Sequence, residues 1–143
     1  MKVQSILSSK GSEVVTIGVD TVVREAIHTI CDKRIGAVVV LDDSKKIAGI
    51  FSERDLMREI DERGAAMLDL PVSSVMTTDV QTCSQFDTVL DVMALMTRRR
   101  FRHIPVIDNG DLIGLVSIGD AVKARIADAE NEAEALKEYI ATG

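Results

Sequence analysis

The sequence of 143 residues has no tryptophan, one tyrosine and three phenylalanines. Because aromatic side chains are so scarce, a core must be built from Val, Ile, Leu, Ala and Met, which favours buried parallel strands and alanine-rich helices. No apolar run reaches the roughly 20 residues that a membrane-spanning helix needs, and the N-terminus lacks the apolar stretch of a signal peptide. These absences predict an α/β protein of the cytoplasm that does not enter the membrane.

Cysteine and histidine are too few to suggest redox or metal chemistry. Cys31 falls in a helical pattern and Cys83 in a strand pattern, without Cys-x-x-Cys spacing, so we expect two unpaired, buried thiols. The two histidines, His28 and His103, complete no metal-ligand set at the usual spacings, and no metal site is predicted. No serine has an acid and a base arranged around it, so no catalytic residue is assigned and the chain is not expected to be an enzyme.

Positive charge is also in deficit, with 17 Lys and Arg against 23 Asp and Glu and a net charge of −6. Binding to nucleic acid through its phosphates needs the opposite balance, so nucleic acid is an unlikely partner. The basic stretch TRRRFRH at 97–103 keeps RNA binding as a minor alternative. We expect Arg98 and Arg99 to lie on a solvated helix face.

A nine-residue stretch, in contrast, is present twice: IAGIFSERD at 47–55 returns as LIGLVSIGD at 112–120. Three small or polar positions keep one offset of 65 (114 minus 49): Gly49, Ser52 and Asp55 are matched by Gly114, Ser117 and Asp120. The lead-ins of the two halves match as well, VQSIL at 3–7 with VSSVM at 72–76. A repeat of this kind is typical of two copies of one structural unit.

Hydrophobic patterns predict strand, helix, strand, strand and helix in each half. The first copy has its strands at 13–19, 37–43 and 46–51 and its helices from Asp20 and at 52–63, the last with an inward face of Leu56, Met57 and Ile60. The second copy has its strands at 79–84, 103–109 and 111–116 and its helices at 88–100 and from 117. We therefore divide the chain into a first repeat at 1–62, a linker at 63–71, a second repeat at 72–127 and a helical tail at 128–143.

The pattern Ser-x-x-Asp has two interpretations. It is a capping box, in which serine and acid satisfy the first amides of a helix. It is also suited to a nucleoside phosphate, because a helix N-terminus attracts an anion and a nearby carboxylate accepts from ribose hydroxyls. Gly49 and Gly114 favour the second interpretation, since glycine inside a strand often marks a place that something approaches closely.

These residues resemble the tandem cystathionine-beta-synthase domain pair, or Bateman module, whose repeats each close with a motif of the form GIFSERD and GLVSIGD. The resemblance covers residues 1–127. It implies an α/β fold of two β-α-β-β-α repeats packed sheet to sheet about a pseudo-twofold axis. It also implies two clefts that bind an adenosyl ligand such as AMP, ADP, ATP, NAD or S-adenosylmethionine.

Carried over by position, the resemblance implies two unequal clefts, each with residues from both repeats. The first combines Ser52, Arg54 and Asp55 with Gln81, Thr82, Arg102 and His103. The second combines Ser117 and Asp120 with Val15, Thr16, Gly36 and Ala37. The first is rich in cations and should hold phosphates, whereas the second is expected to lack a cation and to bind a less charged ligand or bind weakly.

The C-terminal stretch carries apolar residues at spacings of 4, 3, 4, 3 and 4, namely Val122, Ile126, Ala129, Ala133, Leu136 and Ile140. This narrow row predicts packing on the chain's own domain or on a partner helix, and a homodimer is expected. The function that fits best is an adenine-nucleotide-binding regulatory module without a catalytic cofactor, acting on an unidentified protein partner. The alternatives are a purely structural dimer and, with less support, an enzyme that uses bound nucleotide.

Overall fold

The computed structural model describes residues 1–142; Gly143, the last residue of the predicted tail, lies outside the described residues. The helices of the described chain are α1 Val3–Lys10, α2 Val23–Lys33, α3 Glu53–Arg63, α4 Val89–Arg99 and α5 Ile118–Thr142. The strands are β1 Thr16–Gly18, β2 Ala37–Leu41, β3 Ile47–Ser52, β4 His103–Asp108 and β5 Asp111–Ser117, with 3₁₀ turns at Gly64–Asp69 and Val72–Ser74. The predicted α/β class is confirmed.

The first strand of each copy is shorter than predicted. β1 covers only Thr16–Gly18 of the expected 13–19. In the second copy, 79–84 forms a single parallel bridge, from Cys83 to Val106, instead of a strand. The Cys83 amide donates to the Pro105 carbonyl and its carbonyl accepts from the Ile107 amide, at 3.0 and 2.9 Å, so one residue supplies all the pairing that the predicted strand would have made.

The chain forms two compact units that do not follow the sequence repeats. The β1–β3 unit contains residues 13–81 and 109–112, and the β4–β5 unit contains residues 1–12, 82–108 and, of the described residues, 113–142. Helix α1, at the start of the first repeat in sequence, thus belongs with the second repeat's strands. The segment at 64–81, which precedes the second repeat's elements, belongs with the first repeat's strands.

The β1–β3 unit contains a three-stranded sheet in the order β1-β2-β3. β1 runs parallel to β2, and β2 pairs antiparallel with β3 through Ala37 opposite Ser52. Strand β2 is buried over Ala37–Val40, as its continuous apolar run predicts. Its core joins the sheet to α2 and the 3₁₀ turns through Val23, Ala26, Ile30, Val38, Val40, Phe51, Met67, Val72 and Val75.

The β4–β5 unit packs α1, α4 and the start of α5 with a two-stranded sheet. Helix α4 begins after Thr88, whose hydroxyl accepts from the Asp91 amide at 3.1 Å. Helix α4 packs through Val89, Val92, Met96 and the partly buried Met93. The core also contains Val3, Ile6, Leu7, Ile104, Val106, Val116, Ala121 and Ala124.

Of the predicted apolar face of α3, Leu56 is partly buried against the core, but the other two residues are exposed. Met57 is 74% exposed and Ile60 43% exposed, whereas Asp55 and Glu59 are buried. Asp55 is held inward by the hydrogen bonds at the start of the helix, and this fixes the rotation of the helix about its axis. One turn later Glu59 lies on the same face, where its Oε2 atom contacts Arg63 Nε at 2.8 Å as an ion pair but accepts no hydrogen bond.

The prediction of two buried thiols is half right. Cys83 is buried, and burial, with a smaller effect from the Asp87 charge, raises its thiol pKa to about 12. Cys31 is exposed, because the buried face of α2 contains Val23, Ala26 and Ile30 and the helix turns the next residue away from it.

Candidate functional site

Both repeated motifs form complete capping boxes. At the start of α3 the Ser52 amide donates to Asp55 Oδ2 at 2.9 Å, and the Asp55 amide donates to Ser52 Oγ at 3.3 Å. At the start of α5 the Ser117 amide donates to Asp120 Oδ2 at 2.9 Å, and the Asp120 amide donates to Ser117 Oγ at 3.1 Å. The capping interpretation is therefore confirmed at both positions.

The motif glycines are required by the protein's own packing. A Cβ atom on Gly49 would lie 2.6 Å from the Thr77 carbonyl oxygen and 2.7 Å from Met76 Sδ, and one on Gly114 would overlap the Leu7 side chain. Leu7 and Met76 occupy the same position in the two matching lead-ins. What approaches each glycine is thus the lead-in of the other repeat, so the glycines are not by themselves evidence of a ligand.

A short bridge fixes the lead-in on the first repeat. The Ile50 amide donates to the Thr77 carbonyl and the Thr77 amide donates to the Ile50 carbonyl, both at 2.9 Å. This pairing brings the Thr77 hydroxyl to 2.8 Å from Asp55 Oδ1, to which it donates. The role of Thr77 was not predicted, since it lies 22 positions from Asp55.

Asp55 is fully engaged within its own unit. Its Oδ1 accepts from Arg58 at 2.9 Å and from Thr77, and its Oδ2 accepts from the amide and the hydroxyl of Ser52. A carboxylate offers about four lone-pair positions. With four contacts and only 3% of the residue exposed, Asp55 anchors α3 to the sheet and to the lead-in.

Asp120 occupies the equivalent position but has different partners. Its Oδ2 accepts from Lys10 Nζ at 2.7 Å, and the same Nζ donates to the Leu115 carbonyl at 2.9 Å. Burial alone would raise the pKa of Asp120, but the hydrogen bonds and charge of Lys10 and the hydrogen bonds of Ser117 outweigh it and hold the pKa below its usual value.

The expected absence of a cation beside Ser117 and Asp120 is therefore wrong. Lys10 is 110 positions from Asp120 and reaches it only because α1 packs in the β4–β5 unit. The matching lead-ins were the one sequence signal that could have pointed to α1. An amphipathic helix with a lysine in its last turn carries no sign of which acid the lysine will meet.

Apart from Gln81, the remaining predicted residues of the β1–β3 unit lie at the start of α3 or beside the adjoining strands. The Gly36 carbonyl accepts from the Glu53 amide at 3.0 Å, so the residues before β2 meet the first turn of α3. Val15 and Thr16 pair alongside Val39 of the same β2, and Ala37 is buried in it. Arg54 is exposed in the first turn of α3, and Gln81 is half-buried.

The predicted residues of the β4–β5 unit are arranged in the same way. The Arg102 carbonyl accepts from the Ile118 amide at 2.8 Å, which places the residues before β4 at the first turn of α5. Arg102 and Thr82 are exposed, and His103, the first residue of β4, is half-buried. Each unit therefore joins a motif to the segment before the middle strand of its own repeat.

Within residues 1–142 no helix is both long and apolar enough to span a membrane. Among the same residues no three His, Cys, Asp or Glu side chains lie close enough together to hold a metal ion.

Comparison with known proteins identifies the family. A model of the CBS domain matches residues 3–62 and 72–127, so the chain belongs to the CBS-domain family and carries the domain in tandem. The mitochondrial CBS domain-containing protein CBSX3 of Arabidopsis thaliana is 37% identical over 128 residues, 87% of this chain and 62% of that protein. An uncharacterised 17.7 kDa protein of Acidianus ambivalens is 33% identical over 124 residues, 86% of this chain and 72% of that protein.

The chain spans less than two thirds of CBSX3 and only 23% of another relative, the Arabidopsis thaliana protein CBSCBSPB1. Among solved structures, the CBS-domain protein ATU1752 of Agrobacterium tumefaciens is 47% identical, with a TM-score of 0.84 over 87% of this chain and 92% of that one. The CBS domain pair of MJ0100, solved with 5′-methylthioadenosine and S-adenosyl-L-methionine, is 19% identical, with a TM-score of 0.79 over 90% of this chain and 98% of that one.

Proposed function

We propose that the chain is a regulatory module that binds an adenosyl ligand, such as AMP, ADP, ATP or NAD. Binding changes its conformation, its self-association or its contacts with a protein partner. The observation that carries the proposal is the doubled motif, in which two equivalent helices, α3 and α5, begin with Ser and Asp directly after a glycine-containing strand. The MJ0100 pair, which shares the fold, holds two adenosyl compounds, and this supports the ligand class.

The chemistry of a helix start suits the phosphate end of such a ligand. The first-turn amides that the capping boxes leave over donate hydrogen bonds, and the helix dipole favours an anion. We propose one site from Ser52, Arg54, Asp55, Gln81, Thr82, Arg102 and His103, and a second from Ser117, Asp120, Val15, Thr16, Gly36 and Ala37. The arginines of the first site would hold phosphate by charge-assisted hydrogen bonds.

The two aspartates are unequal as acceptors of ribose hydroxyls. The hydrogen bonds from Lys10 and from the Ser117 amide both fall on Oδ2 of Asp120, and we propose Oδ1 as the atom that accepts from a ligand hydroxyl. At Asp55 a ligand hydroxyl must replace either Thr77 or Arg58. We therefore propose Asp120 as the stronger hydroxyl acceptor, with Lys10 beside it as a cation for the ligand's charged end.

Unfolding measurements on the full chain test the proposal. A ligand at about one hundred times its dissociation constant stabilises the folded state by about 2.7 kcal/mol. Asp120→Ala should reduce that stabilisation, and Asp61→Ala, a matched acid removal at an exposed position of α3, should leave it unchanged. If millimolar AMP, ADP, ATP, NAD and S-adenosylmethionine all leave the unfolding curve where it was, the chain is not an adenosyl-ligand module.

A second candidate function is a structural dimer that needs no ligand. It is favoured by the capping boxes, which are complete without a ligand, and by the exposed apolar residues Met57 and Ile60 of α3. The unfolding experiment separates the two functions, because a structural dimer depends on protein concentration and not on nucleotide. We assign no catalytic role to any residue, and we propose the cytoplasm as the site of action.

A further inference from the structure

An apolar row on α5 is uncovered. Val122 is 41% exposed, Ile126 55%, Leu136 59% and Ile140 68%, and the alanines at 129 and 133 complete the row. Helix α5 packs on its own unit through Ala121 and Ala124. At 3.6 residues per turn that face and the apolar row are separated by roughly a third of a turn, so the helix presents two distinct faces.

The row has the spacing of a coiled-coil seam. Ile126, Ala133 and Ile140 fall at the a positions of a heptad, and Val122, Ala129 and Leu136 fall at the d positions. Two of the three a positions are Ile and one d position is Leu, and Ile at a with Leu at d favours two strands. From Val122 to Ile140 the seam covers fewer than three heptads and about 28 Å of helix, so it is marginal alone and needs the rest of the chain.

The charges that flank the seam indicate which helix pairs with α5 and in which direction that helix runs. Lys123, Glu130 and Lys137 fall at e positions, and Arg125 and Glu132 fall at g positions. In a parallel pair each g position faces the e position five residues later on the other helix. Arg125 then faces Glu130 of a second copy and Glu132 faces Lys137 of that copy, so every charged contact is attractive and each occurs twice by symmetry.

An antiparallel pair of the same helices has the opposite outcome. In the register that sets Val122 against Ile140, e positions face e positions and g positions face g positions. Lys123 then approaches Lys137 of the second copy, and Glu130 and Glu132 each approach their own equivalents. All of these contacts are between like charges, which are destabilising.

We infer that α5 pairs with α5 of a second copy of the chain as a parallel two-stranded coiled coil through Val122–Ile140. The inference rests on the self-association part of the proposed function and is independent of nucleotide binding. On this inference the acidic tail is the surface that selects the partner helix and its orientation.

Sedimentation equilibrium of the full chain measures the pairing. Leu136→Lys, at an exposed seam position, should weaken dimerisation by at least roughly tenfold, because a Leu from each copy is lost from the seam. Glu130→Lys should weaken it about three- to tenfold by turning two attractive contacts into repulsive ones. Glu134→Lys makes the same charge change at an outward b position and should leave the dimer unchanged.

Exchanging the charges of residues 125 and 130 tests whether the two helices run parallel. Adding Arg125→Glu to Glu130→Lys should restore the dimer, although it also removes the 3.8 Å ion pair between Arg125 and Asp128. In a Cys31→Ser background, Ile140→Cys should form a disulfide between copies, since these residues adjoin in a parallel pair and are about 27 Å apart in the antiparallel one.

A monomeric wild-type chain would overturn the inference, as would a dimer insensitive to Leu136→Lys or an Ile140→Cys variant that does not cross-link. Unfolding of the Leu136→Lys variant with and without nucleotide distinguishes the two proposals. If nucleotide still stabilises the chain when no dimer forms, the binding function holds even though the pairing is wrong. If the dimer forms through the seam but no nucleotide changes the unfolding curve, the binding function is wrong and the helix pairing still holds.

Discussion

Replacement of Asp55 by alanine separates the structural role of this motif residue from a role in ligand binding. The carboxylate is 3% exposed as a residue and accepts from the Ser52 amide at 2.9 Å, from Arg58 at 2.9 Å and from Thr77 at 2.8 Å. Hydrogen bonds to a charged group contribute about 1.5 to 3 kcal/mol each when their donors cannot reach water. Arg58 is about half exposed, so its contact is discounted and the expected loss of unfolding free energy is about 2 to 4 kcal/mol.

Asp120→Ala is the matched control, because it removes the equivalent residue of the second repeat. Asp120 keeps 23% of its side chain exposed and its Lys10 partner 39%, so solvent replaces much of that ion pair. We expect a loss of about 1 kcal/mol, chiefly from the Ser117 amide. Urea unfolding followed by circular dichroism, without nucleotide, measures both. Equal losses, or a larger loss for Asp120→Ala, would refute the structural assignment of Asp55.

Three further predictions concern Lys10, Gly49 and Cys83. Because Lys10 and Ser117 lower the pKa of Asp120, the carboxylate stabilises the fold above its unfolded pKa of about 3.9, and this contribution is lost as pH falls through the lower folded value. In Lys10→Met the free energy of unfolding should therefore depend less on pH in the acid range, as measured by acid unfolding followed by circular dichroism. At neutral pH we expect the variant to lose less than about 1 kcal/mol of unfolding free energy. Gly49→Ala should cost about 1 to 3 kcal/mol in urea unfolding, while Gly18→Ala, with open space around its Cβ, should be nearly neutral. Cys83, with a thiol pKa near 12, should react with a thiol reagent only on unfolding, whereas the exposed Cys31 should react at once.

The features predicted correctly from sequence depend on local pattern. The apolar run Ala37–Val40 and the helix begun by Thr88 follow from neighbouring residues alone, and so do the capping boxes at Ser52 and Ser117. Their hydrogen bonds join residues three positions apart, and the dihedral preferences of a helix start suffice to form them.

The features that were missed depend on contacts between distant parts of the chain. The face of α3 was predicted from its apolar residues, but Asp55 is held inward by hydrogen bonds that include one from Thr77, the residue that follows the other repeat's lead-in. Gly49 was correctly singled out as a point of close approach, and its occupant is Met76. Lys10 reaches Asp120 for the same reason. The exchange of lead-ins between repeats is a matter of chain path, which a periodic pattern does not encode.

Calorimetric titration of the full chain with AMP, ADP, ATP, NAD and S-adenosylmethionine tests the central proposal most directly. We predict saturable binding of at least one of them, weakened by roughly tenfold or more in Asp120→Ala, consistent with loss of a hydrogen bond to a charged acceptor. Asp61→Ala should bind like the unaltered chain. A folded chain that releases or absorbs no heat of binding with any of these ligands at millimolar concentration would contradict the assignment of an adenosyl-ligand module.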